Sequence, residues 1–291
     1  MKVAIHGKDP QSKSSRFVES VVEWLAAHQV EIWISEKFLR QVKSARVQRM
    51  KLKTFEQGDN LKPLDFFLSI GGDGTLLESV LYVGKYETPI LGINTGRLGF
   101  LATTHRDDME AALSRLLNGE FEIDHRTVLS LKSSPALFDG FSFALNDFTI
   151  MKKDTSSMIT VHVYVDNELL NSYWSDGLIV STPTGSTGYS LSCGGPLVYP
   201  RSQSLVITPV SPHNLTARPI VIADSSRVTF QVEGRSKKFL VSLDSRHETI
   251  EDRVKLEIAK EKFGVKLVVL PGHHYFKTLR QKLNWGFDIR N

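Results

Sequence analysis

Leu68-Ser69-Ile70-Gly71-Gly72-Asp73-Gly74-Thr75-Leu76-Leu77 is a short apolar run that passes through glycines into a stretch of helical spacing. A strand that turns directly into a helix belongs to an α/β sheet, and the turn lies at the carboxyl end of the strand, where such sheets bind ligands. Three glycines remove side chains so that a phosphate chain can approach the backbone, and the start of the helix offers free N–H groups and a positive dipole end. Asp73 is out of place in a turn made only to hold phosphate, because its charge repels the ligand. It makes sense if the carboxylate accepts a proton: a sugar hydroxyl is a poor nucleophile at neutral pH, and a positioned base contributes roughly 10² to 10⁴ in rate. Divalent magnesium bridging phosphate oxygens offsets the repulsion. The competing reading is that Asp73 caps the following helix. The dinucleotide fingerprint G-x-G-x-x-G is not completed, since Leu77 stands at the third glycine position, and no G-x-x-x-x-G-K-[ST] occurs.

Working outward from this turn, residues 3–5, 30–34, 66–70 and 89–93 read as buried strands, and residues 17–25, 76–83 and 109–117 have helical spacing between them. The expectation for residues 1–120 is an α/β domain with an open, mostly parallel sheet. From Phe121 the period becomes two, as in Val161, Val163 and Val165, in Val228, Phe230 and Val232, and in Val254, Leu256 and Ile258. Residues 121–265 are therefore expected to form an all-β-rich dinucleotide-binding domain. A last strand at 265–270, a Pro271-Gly272 break and a helix over 273–285 are expected to pack back onto the first domain as a segment spanning 266–291.

Two more clusters extend the site. Asn94-Thr95-Gly96-Arg97-Leu98-Gly99-Phe100 puts a glycine turn after the neighbouring strand, so that the two turns form opposite walls of one crevice, with Arg97 either steadying phosphate or simply exposed. Farther on, Asp176-Gly177 and the hydroxyl- and glycine-rich run from Ser181 to Pro196 offer neutral hydrogen-bond donors and one aromatic face, suited to a heterocycle and its sugar. The simpler alternative there is a loop with Ser186 as an N-cap, a short helix beginning at Ser186 or Thr187. A serine hydrolase is excluded, since G-x-S-x-G spacing is absent.

With these clusters assembled, the chain resembles the NAD kinase family, and the likeness runs from Gly71 to about Pro271. Gly71 to Thr75 is also similar to the turn in diacylglycerol kinases, sphingosine kinases and phosphofructokinases; Asn94 to Phe100 together with Asp176 to Pro196 is far more specific. The resemblance implies an active site in the cleft between the two domains, phosphoryl transfer from ATP to the 2′-hydroxyl of the adenosine ribose of NAD, and assistance by Mg²⁺. It implies that Asp73 is the base and that Gly74 contacts the dinucleotide. Asn146 and Asp147 match an Asn-Glu pair that binds the ribose and base, with Asp147 one methylene shorter than the usual Glu. Asp176 matches a residue at the nicotinamide side. Thr184, Thr187, Gly188, Tyr189, Ser190, Leu191 and Ser192 match the lining of the adenine-nucleotide pocket. Trp174, Ser157 and Arg246 depart from the family pattern, where Arg, a basic residue and Gln are usual. Arg126 and Arg218 fit the pattern and are expected to orient strands at the domain junction. Family members are usually dimers or tetramers.

Bulk properties narrow the alternatives. The 291 residues carry 36 Lys and Arg against 32 Asp and Glu, an excess too small to generate a strong field. Cys193 is the sole cysteine, which excludes an intrachain disulfide and fits a cytoplasmic location; no apolar stretch is long enough to span a membrane. The basic row Lys37, Arg40, Lys43, Arg46 and Arg49 reads as a solvated helix face rather than a nucleic-acid surface. No histidine has partners at metal-ligand spacing, so no protein metal site is expected. The rival functions are a lipid kinase, which needs an apolar acceptor pocket, and a non-catalytic NADP sensor, which has no use for Asp73.

Overall fold

Strands covered on both faces need apolar residues at successive positions, and the runs around Ile5, Ile34, Leu68 and Ile93, all fully buried, meet that condition. The computed structural model, which describes residues 1–8, 12–153 and 157–284, joins them in one sheet. Its order is Lys53–Phe55, Glu31–Ser35, Lys2–Gly7, Phe66–Ile70, Ile90–Asn94, Val265–Val269 and Glu122–Arg126, with Thr104–His105 also pairing with Ile90–Asn94. The pairings among the strands of its central path, from Lys53–Phe55 to Val265–Val269, are parallel. Helices cover both faces. Val18, Val21, Val22 and Leu25 recur at i, i+3, i+4 and i+7 and put one stripe of the helix Ser12–Ala27 into the core; Met109, Ala112, Leu113 and Leu116 do the same for Met109–Leu117. On the other face the helix Asp73–Val83 buries Leu76, Val80 and Val83, and its Tyr82 meets Phe55 edge-on at 5.5 Å between ring centroids.

This α/β unit comprises residues 1–125 and the segment from 265 onward, and the β-rich unit comprises residues 126–264. The pattern Glu-Ile-Asp-His-Arg at 122–126 alternates like the strands that follow, yet it pairs within the first sheet, beside Val265–Val269. The final helix is Tyr275–Leu283; the expected end at Trp285 lies outside the described residues. The basic row is not one helix face: Lys37 lies in the short helix Glu36–Leu39, Arg46 and Arg49 lie in Ala45–Arg49, and Arg40 and Lys43 fall between them, with Lys37 paired to Glu78, Arg40 to Glu36 and Arg46 to Glu23.

In the β-rich unit two six-stranded sheets pack face to face. One runs Ile220–Ala223, Ser204–Val210, Gly177–Ser181, Asp147–Lys152, Lys238–Leu243, Arg246–Glu251; the other runs Glu168–Ser175, Ile159–Val165, Val228–Glu233, Lys255–Lys260, Leu129–Ser134, Phe143–Ala144. Val161 and Val163, Val228 and Phe230, and Leu256 and Ile258 are the inward positions of alternating strands, and Phe148 meets Phe230 across the core with centroids 5.5 Å apart. The architecture is the one the sequence pattern implied, a mostly parallel α/β unit and a β-rich unit. No helix among the described residues is long and apolar enough to cross a membrane.

Candidate functional site

The glycine turn owes its shape to specific contacts. Gly71 has φ +153°, and a Cβ there would lie 2.3 Å from Thr75 Oγ1, so a side chain is excluded. Gly72 and Gly74 are exposed, and a Cβ on either would meet nothing within 4 Å. Packing therefore does not demand glycine at 72 and 74; open backbone there suits a ligand that must come close. Gly72 is the N-cap of Asp73–Val83 and provides no side-chain cap.

Asp73 is the first residue of that helix and does not cap it. Its carboxylate reaches the second glycine turn: Oδ2 accepts from Phe100 N at 2.8 Å, and Oδ1 accepts from Leu101 N and Ala102 N, each at 3.0 Å. The capping alternative is thus replaced by a contact the sequence did not reveal. The expectation of two facing walls changes as well, because residues 99–102 fold onto the carboxylate. A Cβ on Gly99 would fall 1.9 Å from Asp73 Oδ1, which explains that glycine. Asn94 shapes the same loop, donating from Nδ2 to the Arg97 carbonyl and accepting at Oδ1 from Gly96 N at 2.6 Å. The Arg97 residue itself is exposed.

In the β-rich unit, Asn146 and Asp147 stand where the strand Asp147–Lys152 begins. Asp147 is only 6% exposed, and burial, reinforced by the neighbouring Asp244 charge, pushes its carboxyl up to about 7. Asp176 pairs with Lys152 at 2.5 Å. Thr184 is buried and accepts from Arg126 Nη1 at 3.2 Å, so Arg126 acts on the hydroxyl-rich turn. That turn is a 3₁₀ segment, Gly185–Thr187, followed by the four-residue helix Tyr189–Ser192. Ser186 is not its N-cap; it donates to Pro183 O and accepts from Val198 N. Ser190 is fully buried and bonded to Thr208, leaving Tyr189 and Ser192 exposed and Thr187, Gly188 and Leu191 half-buried. Gly185 has no room for a side chain, since a Cβ would sit 2.1 Å from the Asn146 carbonyl, and this contact seats the turn against Asn146.

The departing positions differ among themselves. Trp174 is half-exposed and packs against His213 with centroids 4.3 Å apart and the rings tilted by 42°. Ser157 is half-buried. Arg246 donates to the carbonyls of Phe141 and Phe143. Arg218 donates to the carbonyls of Leu215 and Ala217, a local turn contact.

Residues 3–121 match the family model of the ATP-NAD kinase N-terminal domain, and residues 145–270 match that of the C-terminal domain. The chain belongs to the NAD kinase family. It is 48% identical to the NAD kinase of Cytophaga hutchinsonii and 45% identical to that of Flavobacterium johnsoniae, each over the whole of both chains. Among solved structures, an NAD kinase from Archaeoglobus fulgidus in complex with ATP superposes with a TM-score of 0.74 at 25% identity, covering 98% of this chain and 99% of that one. Yeast NADH kinase complexed with NADH shares the fold, with a TM-score of 0.87 at 22% identity, covering 100% of this chain and 89% of that one. What the sequence reading lacked is the contact of the second glycine turn with Asp73, through the N–H groups of residues 100–102 with Gly99 packed against the carboxylate, and the place of Asp244 beside Asp147. The first group was hidden because backbone donors leave no mark on residue identity. Asp244 was visible only as the neighbour of Arg246.

Proposed function

We propose that the chain transfers the γ-phosphoryl group of ATP to the 2′-hydroxyl of the adenosine ribose of NAD, giving NADP and ADP. Asp73 takes the hydroxyl proton, the ribose oxygen bonds to the γ-phosphorus, and the bond from that phosphorus to the β–γ bridging oxygen breaks. The observation that carries this reading is the set of three N–H groups fixing Asp73 at the head of a glycine turn with open backbone. An ionised carboxylate has about four acceptor positions. Two donors face Oδ1 and one faces Oδ2, so Oδ2 is the oxygen assigned to the proton.

The α/β unit supplies Asp73 and Gly74. The β-rich unit supplies Asn146 and Asp147 for ribose and base, Asp176 for the nicotinamide side, and Thr184 with Thr187 to Ser192 for the adenine nucleotide. Among the described residues no group of three or more His, Cys, Asp or Glu side chains is placed to hold a metal ion. Magnesium is assigned to the triphosphate, whose oxygens it bridges, entering with ATP as part of the substrate. The enzyme is taken to be cytoplasmic, in keeping with its single cysteine, and a homodimer or homotetramer like its family, which light scattering on the purified protein would test.

The deciding experiment incubates the purified protein with ATP, magnesium and NAD and assays NADP. NADP formation is expected. Nucleotide binding without turnover would replace the enzyme by a sensor, and phosphorylation of diacylglycerol in place of NAD would replace it by a lipid kinase.

A further inference from the structure

Asp244 occupies the tip of the hairpin joining Lys238–Leu243 to Arg246–Glu251, where its φ is +53°, a conformation Asp tolerates better than most residues. Its carboxylate accepts from three successive backbone donors: Leu145 N at 3.0 Å, Asn146 N at 2.7 Å and Asp147 N at 3.3 Å. Its own N–H donates to the Asp147 carbonyl at 3.0 Å. From the opposite side, Thr182 donates its hydroxyl to the Leu145 carbonyl at 2.6 Å and its N–H to the Asn146 carbonyl at 2.9 Å. The backbone of residues 145–147 is thus held from two sides. Arg246, from the same hairpin tip, anchors the preceding segment through the Phe141 and Phe143 carbonyls.

We propose that Asp244 is a positioning residue for dinucleotide binding: its carboxylate holds the Asn146–Asp147 backbone in the conformation that presents both side chains to the substrate. This rests on the reading of Asn146 and Asp147 as ligands of ribose and base. A hydrophobic residue would close the hairpin without gathering the three N–H groups, and a serine or threonine has one oxygen where the geometry uses two. Asp244 also places a second acid beside Asp147, with Arg246 offsetting it from the hairpin and Tyr189 facing Asp147 from the hydroxyl-rich turn. The protonation of Asp147 is therefore coupled to the residue that positions it.

The test compares Asp244→Asn with wild type, measuring NAD dissociation constant, KM, kcat and the pH dependence of KM. An amide turns one oxygen into a donor facing backbone donors. The NAD dissociation constant and KM are expected to rise about tenfold or more while kcat stays within about threefold. Loss of the neighbouring charge is expected to move the inflection of KM to lower pH, which a purely structural role would not do. Unchanged affinity with an unmoved inflection overturns the proposal. If the Asn variant does not fold, Asp244→Glu keeps the charge and displaces the oxygens; wild-type affinity in that variant also overturns it, and weakened affinity supports it. Asn146→Ala and Asp147→Ala serve as controls. If neither weakens NAD binding, the assignment of those two ligands fails; if both do and the Asp244 variants do not, only the positioning role fails.

Discussion

An asparagine at position 73 keeps the size of the side chain but removes the base, and its amide turns a donor toward the N–H groups of residues 100–102. Asp73→Asn is expected to lower kcat by roughly 10² to 10⁴ while the NAD dissociation constant stays within about threefold; isothermal titration beside steady-state kinetics separates the two, and unaltered turnover defeats the role. Gly99→Ala reaches the same carboxylate from the other partner. Its methyl would overlap Oδ1, so the base must shift, and a displacement of about 1 Å is expected to reduce kcat by about 10²-fold with little change in NAD affinity. Asp147 gives a prediction about stability. Its carboxyl titrates at about 7 in the folded protein against an ordinary value of 3.8, so between those pH values the native state holds a proton that the unfolded chain has lost. Stability attributable to this group is full below about pH 4 and falls by roughly 1.4 kcal/mol per pH unit until about pH 7. Asp147→Asn should remove that slope: melting curves of variant and wild type should draw together toward pH 4 and separate, in favour of the variant, toward pH 7.

At the scale of elements, legibility followed periodicity. The helices of the first unit announced themselves because four apolar residues at i, i+3, i+4 and i+7 have no other economical arrangement. The helix Asp73–Val83 was expected from residue 76, since its first turn is glycine and acid with no apolar periodicity to read. Lys53–Phe55 was missed for a related reason: three residues, two of them exposed, carry no pattern of their own and pair only because Glu31–Ser35 lies beside them. The hydroxyls of the third cluster were legible as a group but not individually, because sequence does not say that Ser186 and Ser190 turn inward while Tyr189 and Ser192 turn out. Leu76 shows what the glycine-turn helix rests on. It is fully buried against Gly92, and Leu76→Ala is expected to destabilise the protein by about 2–5 kcal/mol, read from urea unfolding, with the folded fraction losing activity as the Asp73 turn loosens.

For the whole molecule the decisive fact is that one unit is inserted into the other. The chain leaves the first sheet after Glu122–Arg126 and rejoins it at Val265–Val269, two strands that are neighbours in that sheet. Alternating patterns mark strands but not the sheet they join, which is why residues 122–126 read as part of the β-rich portion. Residues 126–264 contain both six-stranded sheets and their shared core, so this stretch expressed alone is expected to give a cooperative thermal transition and a β-type circular dichroism spectrum; a random-coil spectrum would show that its core depends on the flanking segments. The same topology orders events during synthesis. A ribosome has made every strand of the inserted unit before it reaches Val265, while the enclosing sheet still lacks the strand that sits between Ile90–Asn94 and Glu122–Arg126. Until Val265–Val269 is made, Ile90–Asn94 and Glu122–Arg126 lack the neighbour they share, and two open strand edges stand ready to pair with another chain.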